Sequence, residues 1–414
     1  MSKVVIIGGG VIGLCTAYYA LQEGHDVTVL EKAEVGKGSS WANAGWVTPS
    51  HVVPLAAPGV IRKGLKWMLD PESPFYIKPR IEIELFRWLW AFRSYATKAH
   101  VNRCMPILGT LCEESLHLFK VLNQALGDRV GFEEKSLIFA AKTDAGLKSC
   151  IHEVEAVQKV GMEARVLDLE EMCTMEPTLR RDLKGGAFFK IDSHLNPAKL
   201  MVHLAEYVRA NGGRIIEKAT VNGFELGKKE IKKVQTTHQQ FEADYVVLAM
   251  GAWSQEVNQA LKIKLPIQPG KGYSITLPQT GTLTRMPILL SERSVAITPF
   301  GNEIRYAGTM ELTGMDLSVN HRRVQAIKNA AQEYLTNYDA MAVQQATSWM
   351  GLRPCSPDGM PLVGPLKAFP NVLVATGHAM IGVTTATGTG KIISDLISGK
   401  TPFMDPLPFA PERF

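Results

Sequence analysis

The first thirty residues combine two short apolar runs with a glycine-rich turn and a stretch suited to a helix. Residues 3–7 are rich in β-branched side chains, as is typical of a strand buried on both faces. The turn Gly8-Gly-Gly-Val-Ile-Gly13 fits the pattern G-x-G-x-x-G, and Gly24 ends the helical stretch after it. Residues 25–30 predict a second strand, which Glu31 closes. This order of elements predicts a βαβ unit that binds a dinucleotide.

Each residue of this motif has a physical task. Gly8 permits the tight turn, Gly10 lets the backbone approach a pyrophosphate, and Gly13 lets the helix pack closely on the strand. The N-terminus of the helix offers N–H donors and a positive dipole to the phosphates. Glu31 can accept a hydrogen bond from a ribose 2′-hydroxyl, which leaves FAD or NAD as the ligand.

Length and composition exclude several other classes. Residues 4–21 carry no charge and could form a signal or membrane segment by length, but four glycines interrupt them. The chain has 414 residues, 46% of them hydrophobic, so it can bury a large core without disulfides. A net charge of +5 is too small to predict nucleic-acid binding. The six cysteines have no zinc-like spacing, so no metal site is predicted.

The segment that follows Glu31 favours FAD over NAD. Residues 38–45 form a small, polar loop bounded by glycines, which can run along a long cofactor and offer Ser40, Asn43 and backbone N–H groups. An ordinary surface loop is the alternative interpretation.

Two later segments agree with this preference. Residues 243–250 and 371–376 are apolar runs that lead into glycines, and they predict two more buried strands. A helix is predicted from Val383, with small residues in its first turns against which a flat ring can lie. A strand and helix that merely pack closely are the alternative.

In combination these motifs resemble the D-amino-acid-oxidase superfamily of FAD enzymes. The resemblance is carried by the glycine motif with Glu31, the Ser40/Asn43-Ala-Gly45 loop, residues 248–254, Gly351-Leu-Arg-Pro354, Pro357-Asp-Gly359 and Thr376-Gly-His378. Further segments resemble the small subunit of bacterial D-amino-acid dehydrogenases: residues 41–45, 56–59, 66–68 and 271–274.

The resemblance spans nearly the whole chain and implies two domains. One is a discontinuous, Rossmann-like α/β domain that binds FAD, and the other is an α+β substrate domain built on an antiparallel sheet. The implied bounds are residues 1–50, 195–258 and 346–414 for the FAD-binding domain, and 51–194 and 259–345 for the substrate domain.

The implied reaction is oxidative deamination of D-amino acids to 2-oxo acids and ammonia. Hydride passes from the substrate Cα to flavin N5, and the electrons then leave to a quinone or another acceptor. Oxidation of a secondary amine (D-proline, hydroxyproline, sarcosine or glycine) is the nearest alternative. A non-catalytic, FAD-carrying subunit of a larger complex is a second. Some relatives attach the flavin to a cysteine at a position that falls on Gly351 here, and Cys355 lies four residues later, so non-covalent FAD is expected.

The substrate carboxylate calls for an arginine, whose planar fork matches a carboxylate bidentately. Arg353 matches the carboxylate-binding position of the superfamily, and a structural ion pair with Asp358 is the alternative. Arg305 lies in a strand-like alternation and is expected to be either a second clamp or a surface ion pair.

Three further side chains are candidates for the substrate site. Tyr273 follows Gly270-Lys-Gly272, where a glycine turn could aim its hydroxyl at the carboxylate, with core packing as the alternative. His378 lies at the carboxyl end of a predicted strand, where it is expected to line the flavin, with polarisation of the substrate amine as the alternative. His51, after the 38–45 loop, is a weaker candidate.

The residues expected to bind the cofactor come from the glycine motif, the loop, the strand ends and the last helix. They are Gly8, Gly10, Val11, Ile12, Gly13, Glu31, Lys32, Ser39, Ser40, Asn43, Ala44, Gly45, Val221, Gly251, Trp253, Gly377, His378, Ile381, Gly382, Val383 and Thr384.

Two segments have the composition of surface-binding helices. In residues 81–95, Leu85, Trp88, Leu89 and Phe92 share one helical face, whereas Phe86 and Trp90 lie off it; residues 60–69 are basic and amphipathic. Two helices buried on more than one side are one interpretation, and contact with a membrane surface or a partner is the other. The resemblance favours the second, and with it a cytoplasmic protein that lies peripherally on the inner membrane, alone or in a homo- or hetero-oligomer.

Overall fold

The computed structural model describes residues 1–68, 70 and 72–414, so the predicted helix end at Leu69 lies outside the described residues. The strands are β1 (Lys3–Ile7), β2 (Asp26–Leu30), β3 (Trp46–Val47), β4 (Phe75–Ile77), β5 (Leu137–Ala141), β6 (Ala164–Leu167), β7 (Gly185–Phe189), β8 (Ser193–His194), β9 (Arg214–Ile216), β10 (Val221–Leu226), β11 (Ile231–Thr236), β12 (Gln240–Glu242), β13 (Tyr245–Leu248), β14 (Gln268–Pro278), β15 (Ile288–Leu290), β16 (Val295–Phe300), β17 (Glu303–Leu312), β18 (Ser348–Cys355), β19 (Leu362–Pro365) and β20 (Val372–Thr376). The helices are α1 (Val11–Gln22), α2 (Val60–Met68), α3 (Ile83–Tyr95), α4 (Lys98–Ala125), α5 (Asp144–Lys159), α6 (Leu169–Met175), α7 (Pro197–Ala210), α8 (Asn258–Leu261), α9 (His321–Tyr334), α10 (Ala340–Gln345) and α11 (Ala386–Ile397), with short 3₁₀ helices at Gly251–Val257 and Leu407–Phe409.

A six-stranded sheet has the order β19-β20-β13-β1-β2-β9. All its neighbours run parallel except β19, which is antiparallel to β20. The sheet is parallel because its strands are joined by crossovers, and α1 and α11 pack into the core on one of its faces. The predicted βαβ unit and the two later buried strands are therefore confirmed.

A larger sheet has the order β18-β14-β17-β16-β15-β5-β7-β6, and β4 also pairs with β17. Its pairs are antiparallel except β15 with β5 and β4 with β17. Helix α9 packs on this sheet and shares its apolar core. Strands β10, β11 and β12 form a separate small sheet. The mixed fold class, with a parallel and a mainly antiparallel sheet, is confirmed.

The predicted domain bounds stay a prediction. Helix α4 lies in the stretch assigned to the substrate domain, yet its apolar side chains Leu108, Leu111 and Phe119 join the core around α1 and α11. Strand β18 lies in the stretch assigned to the FAD-binding domain, yet it pairs with β14 of the larger sheet. Each of the two predicted stretches therefore contributes one element to the core or the sheet of the other.

The start of the last helix differs from the prediction. Helix α11 begins at Ala386 rather than Val383, because residues 382–385 form a turn that is held by its own hydroxyls. Thr385 Oγ1 donates to the Ile381 carbonyl oxygen at 2.9 Å, and Thr384 Oγ1 donates to the carbonyl oxygen of the distant Trp46 at 3.2 Å. Among the described residues, no helix is both long and apolar enough to cross a membrane.

Candidate active site

A cavity of about 1490 Å³ starts at the carboxyl ends of β1, β2, β13 and β20 and extends to β14, β17 and β18 of the larger sheet. Helices α2 and α3 line its outer wall. Ordinary small-molecule pockets measure roughly 300–1000 Å³, so this cavity has room for more than one small ligand. Its position at the strand ends is where open α/β sheets place their ligands.

The glycine motif forms a backbone cradle at one end of the cavity. Gly8 has a φ of 114°, and a Cβ atom there would lie 2.3 Å from the carbonyl oxygen of Ala249. A Cβ on Gly13 would lie 2.0 Å from the Gly8 oxygen, so close packing of α1 on β1 requires glycine. Helix α1 begins after Gly10 without a side-chain cap, and the Val11 amide donates to Ser40 Oγ at 2.9 Å. This end of the cavity therefore presents backbone N–H groups, as a pyrophosphate requires.

Glu31 lies at the next strand end with its carboxylate already oriented. Its Oε2 accepts from the Gly9 amide and its Oε1 from the Ala33 amide, both at 2.9 Å. Each oxygen keeps acceptor capacity for a ribose hydroxyl. Beside it, the Lys32 ammonium lies 3.8 Å from the centre of the Trp253 ring, and burial lowers the pKa of Lys32. The sequence predicted Lys32 and Trp253 as cofactor-binding residues but did not predict their contact with each other.

The 38–45 loop is held by its own side chains. Asn43 Nδ2 donates to the Ser40 carbonyl oxygen at 2.9 Å, and Asn43 Oδ1 accepts from the Gly45 amide at 2.8 Å. Ser39 Oγ donates to the Leu352 carbonyl oxygen at 2.7 Å and accepts from the Leu352 amide at 3.0 Å. The loop is thereby fixed to β18 of the larger sheet.

These features fit FAD. The α1 N-terminus would hold the pyrophosphate, and Glu31 the adenosine ribose. Lys32, Val221, Gly251 and Trp253 line the same end of the cavity. Ser40 lies at the pyrophosphate end through its bond to Val11. The remaining predicted cofactor residues line the same cavity and would hold the flavin half: Ser39, Asn43, Ala44, Gly45, His378, Ile381, Gly382, Val383 and Thr384. Gly13 and Gly377 lie behind the wall, where each makes room for a packed neighbour.

Arg353 brings a positive charge to the part of the cavity formed by the larger sheet. Its Nη1 donates to the Thr309 carbonyl oxygen at 2.9 Å, and this is its one side-chain hydrogen bond to the described residues. The alternative pairing with Asp358 is wrong, because Asp358 binds Arg413 through Nε at 2.7 Å and Nη2 at 2.9 Å. Burial lowers the pKa of Arg353. A guanidinium without a carboxylate partner in a cavity is suited to an anionic ligand.

Tyr273 lines the cavity, but its hydroxyl is bonded elsewhere. It donates to Glu311 Oε2 at 2.6 Å and accepts from the Asn320 amide at 3.2 Å. The predicted glycine turn before it is wrong, since Gly270 and Gly272 are extended residues of β14. Burial, together with the Glu311 carboxylate, raises the pKa of Tyr273.

Both candidate histidines line the cavity as neutral groups. His378 Nε2 lies 3.0 Å from Thr389 Oγ1 of α11, and burial lowers the pKa of His378 to about 3. The ring of His51 packs edge-on against Phe139, and burial lowers its pKa to about 4. Nδ1 of His51 is buried and has no hydrogen-bond partner among the described residues.

Arg305 is not brought together with the other candidates. Its Nε donates to Thr276 Oγ1 and its Nη1 to the Asn43 carbonyl oxygen, both at 2.8 Å. It is neither at the cavity surface nor in a surface ion pair, because its side chain is buried between β17 and the 38–45 loop. Its role is to hold the loop.

Sequence reasoning missed several residues of the cavity wall. Gly272 and Thr309 lie beside the Arg353 guanidinium, and Trp46, Met310 and Trp349 line the same cavity. A glycine inside a strand signals a close approach of another group, so Gly272 had a signal. The sequence carries no signal for Thr309, because nothing in a β-branched residue indicates the positive φ of 68° that it adopts.

Comparison with known proteins agrees with this site. Residues 3–396 match the model of the family described as FAD dependent oxidoreductase (DAO). The chain is 31% identical to the D-amino acid dehydrogenase of Granulibacter bethesdensis, over 100% of this chain and 99% of that protein. Its fold is similar to that of glycine oxidase from Geobacillus kaustophilus, with a TM-score of 0.80 and 23% identity over 100% of both chains. It is also similar to L-proline dehydrogenase from P. horikoshii, with a TM-score of 0.75 and 21% identity over 100% of this chain and 97% of the other.

A family match over nearly the whole chain, together with the cradle for a dinucleotide, defines the class. The chain belongs to the FAD dependent oxidoreductase (DAO) family. It is an enzyme whose cofactor is FAD, as the sequence predicted.

Proposed function

We propose that this enzyme is a D-amino-acid dehydrogenase, which oxidises D-amino acids to 2-oxo acids and ammonia. The observation that carries the proposal is the Arg353 guanidinium, which lies in the cavity without a carboxylate partner among the described residues. The full-length similarity to a relative named D-amino acid dehydrogenase supports the substrate class.

In this proposal the residues of the chain position the substrate. Arg353 binds the carboxylate through the nitrogens that it does not use on Thr309. Tyr273 and Met310 form wall beside it, and their apolar surfaces exclude water. His378 and His51 stay neutral and add no charge that would compete for the carboxylate. Bound FAD supplies the hydride acceptor for the substrate Cα–H bond. The imine that leaves the site hydrolyses in water.

The test is an anaerobic mixing experiment on the purified holoenzyme. The panel contains D-alanine, D-phenylalanine, D-proline, their L forms, sarcosine and glycine, and loss of absorbance near ~450 nm reports flavin reduction. Bleaching by primary D-amino acids is expected. Bleaching only by D-proline, sarcosine or glycine would instead identify a secondary-amine or glycine enzyme.

Variants of Arg353 test the carboxylate contact. Arg353→Lys keeps the charge without the fork and Arg353→Ala removes both, so KM should rise in that order, by roughly 100-fold for alanine. Arg93→Ala is the control, because Arg93 is exposed at the outer wall of the cavity. A KM that is unchanged in Arg353→Ala would refute the contact. If a larger complex kept its activity with this variant, the chain would be a non-catalytic subunit.

We further propose that the electrons pass to a quinone or another carrier at a membrane surface, with the enzyme on its cytoplasmic side. The α2–α3 face is formed by exposed residues of three kinds: the apolar Ile61, Leu65, Ile81, Ile83, Phe86 and Trp90, the basic Arg62, Lys63, Lys66 and Arg87, and the acidic Glu82 and Glu84. Leu65 is 62%, Phe86 57% and Trp90 73% exposed, so α3 is buried on one side only. Basic residues beside exposed apolar ones match an anionic lipid surface. The same two helices line the cavity, so a carrier at this face would be next to the site.

Sedimentation with vesicles tests this face. The double variant I83S/W90S removes two exposed apolar side chains that do not line the cavity; it should no longer sediment with phosphatidylglycerol vesicles and should keep its turnover with a soluble dye. The matched control V121S/L226S removes exposed apolar side chains elsewhere and should sediment like the unmodified enzyme. Equal sedimentation of both variants would contradict the proposal.

The proposed attachment of FAD is non-covalent. Gly351 lines the cavity, whereas the Cys355 thiol is fully buried outside it, and burial raises the pKa of Cys355 to about 12. Acid precipitation should therefore leave the yellow colour in the supernatant. A yellow pellet would overturn this point.

A further inference from the structure

The Arg353 guanidinium occupies a space that exists because residue 272 has no side chain. Gly272 lies in β14, opposite Gly351 in the neighbouring strand β18. A Cβ atom on Gly272 would lie 2.0 Å from Nη1 of Arg353 and 2.6 Å from Cζ and Nη2. Since Gly272 is ordinary extended backbone, alanine is compatible with its conformation, and the three atoms nearest to an added Cβ all belong to the guanidinium.

A second neighbour of the guanidinium is an irregularity in β17. Lys271 pairs with Glu311 and Tyr273 with Gly308, so two steps along β14 match three along β17. The extra residue gives a β-bulge next to Gly272, and bulges re-aim the groups that they carry. Within it Thr309 has a φ of 68°, which is unfavourable for a β-branched residue. Its carbonyl oxygen accepts the hydrogen bond from Arg353 Nη1.

We propose that Gly272 and the Thr309 bulge are positioning elements for Arg353, which together fix the direction of its fork. Gly272 leaves the space for the guanidinium, and the carbonyl oxygen of Thr309 holds one of its nitrogens. The remaining donors are thereby oriented before a ligand arrives, which reduces the free energy spent on ordering them. This inference rests on the proposed function, in which Arg353 binds the substrate carboxylate.

The central experiment is Gly272→Ala in the FAD-loaded enzyme. Displacing a binding group by about 1 Å can cost roughly 100-fold, so KM for the D-amino acid should rise by about that factor. Benzoate serves as a carboxylate that is not oxidised, and its Kd, followed through the visible flavin spectrum, should rise in parallel. Gly270→Ala is the control on the same strand, because its Cβ would lie nearest Cys355 and Met310 and would touch Arg353 only at Cβ, at an ordinary contact distance of 3.7 Å; it should leave the benzoate Kd unchanged.

A double-mutant cycle separates positioning from simple filling of the cavity. In an Arg353→Met background, Gly272→Ala should change the benzoate Kd by less than about twofold, because the guanidinium that the added methyl group would displace is no longer there. An equally large effect in both backgrounds would mean that the added methyl group blocks the ligand itself, and would overturn the inference.

Thr309→Gly gives an independent test if Gly272→Ala fails to fold. Glycine relieves the strained backbone and loosens the carbonyl, so the melting temperature should stay equal or rise while the benzoate Kd increases. A lower melting temperature with an unchanged Kd would assign Thr309 a purely structural role and overturn the inference. If Arg353→Met leaves KM and the benzoate Kd unchanged, the proposed function fails at the clamp; if only the Gly272 and Thr309 variants are silent, this inference alone fails.

Discussion

Asp192 provides a prediction about pH that the structure lets us quantify. Its side chain lies under the cavity wall, with the residue 1% exposed, and it accepts hydrogen bonds from the amide of Ser50 at 3.0 Å and from the Ser50 hydroxyl. Ser50 lies between Thr48 and His51, both of which line the cavity. Burial raises the pKa of Asp192 to about 7. A group that titrates near neutral pH is therefore hydrogen-bonded to the segment that forms this part of the cavity wall.

The sign follows from the protons bound in each state. An unfolded aspartate has a pKa of about 3.9, so between about pH 4 and 7 the folded chain keeps a proton that the unfolded chain has lost. The contribution of Asp192 to the free energy of unfolding is therefore complete below about pH 4 and is lost as pH rises to 7. About three pH units at roughly 1.4 kcal/mol each give a loss of about 4 kcal/mol in the free energy of unfolding.

Asp192→Asn should remove this loss, because the amide is neutral and similar in shape. Its stability relative to the unmodified enzyme should grow from pH 5 to 8 by about 3 kcal/mol, as measured by urea denaturation with FAD in excess. Asp144→Asn is the control, since the Asp144 side chain is 83% exposed and the difference should be nearly flat over this range. A difference for Asp192→Asn that does not change with pH would refute the reasoning.

Three further predictions concern the site and its supports. Ser39→Ala removes both bonds to Leu352 and should raise the Kd of FAD by about 10-fold, measured by flavin fluorescence; an unchanged Kd would exclude this support. His378 is neutral at working pH, so the pH profile of kcat/KM should keep its shape in His378→Gln, and loss of a step near pH 6–7 would contradict this assignment. Arg413→Ala leaves the buried Asp358 carboxylate without its partner and should destabilise the fold by about 3–5 kcal/mol, which the melting temperature checks.

The parts of the fold that sequence predicted are those specified by neighbouring residues. The glycine motif and the strands around it depend on positions a few residues apart, and they appear as predicted. Such local signals need no knowledge of the tertiary structure.

The parts that sequence could not predict depend on partners far apart in the chain. The hydroxyl of Tyr273 meets Glu311, 38 residues later, and Asp358 meets Arg413, 55 residues later. The sequence offered Arg353 as a nearer partner for Asp358 and the substrate carboxylate as the target of Tyr273; for Tyr273, the register of β14 against β17 decides the outcome. A residue type indicates what a side chain can bind, whereas strand pairing determines what it reaches.

The cofactor, the arginine for the substrate carboxylate and the surface for the electron acceptor are held by three different parts of the fold. The ends of the parallel strands hold the cofactor, the larger sheet holds Arg353 between Gly272 and Thr309, and α2 and α3 form the outer wall. Because the 38–45 loop is bonded to the larger sheet through Ser39 and Arg305, and to the N-terminus of α1 through Ser40, the first two groups keep a fixed relation. The outer wall is joined to the larger sheet by fewer polar contacts, such as Trp88 Nε1 to the Cys355 carbonyl oxygen at 3.0 Å. Substitutions on α2 and α3 should therefore change the electron acceptor without altering how the carboxylate is held.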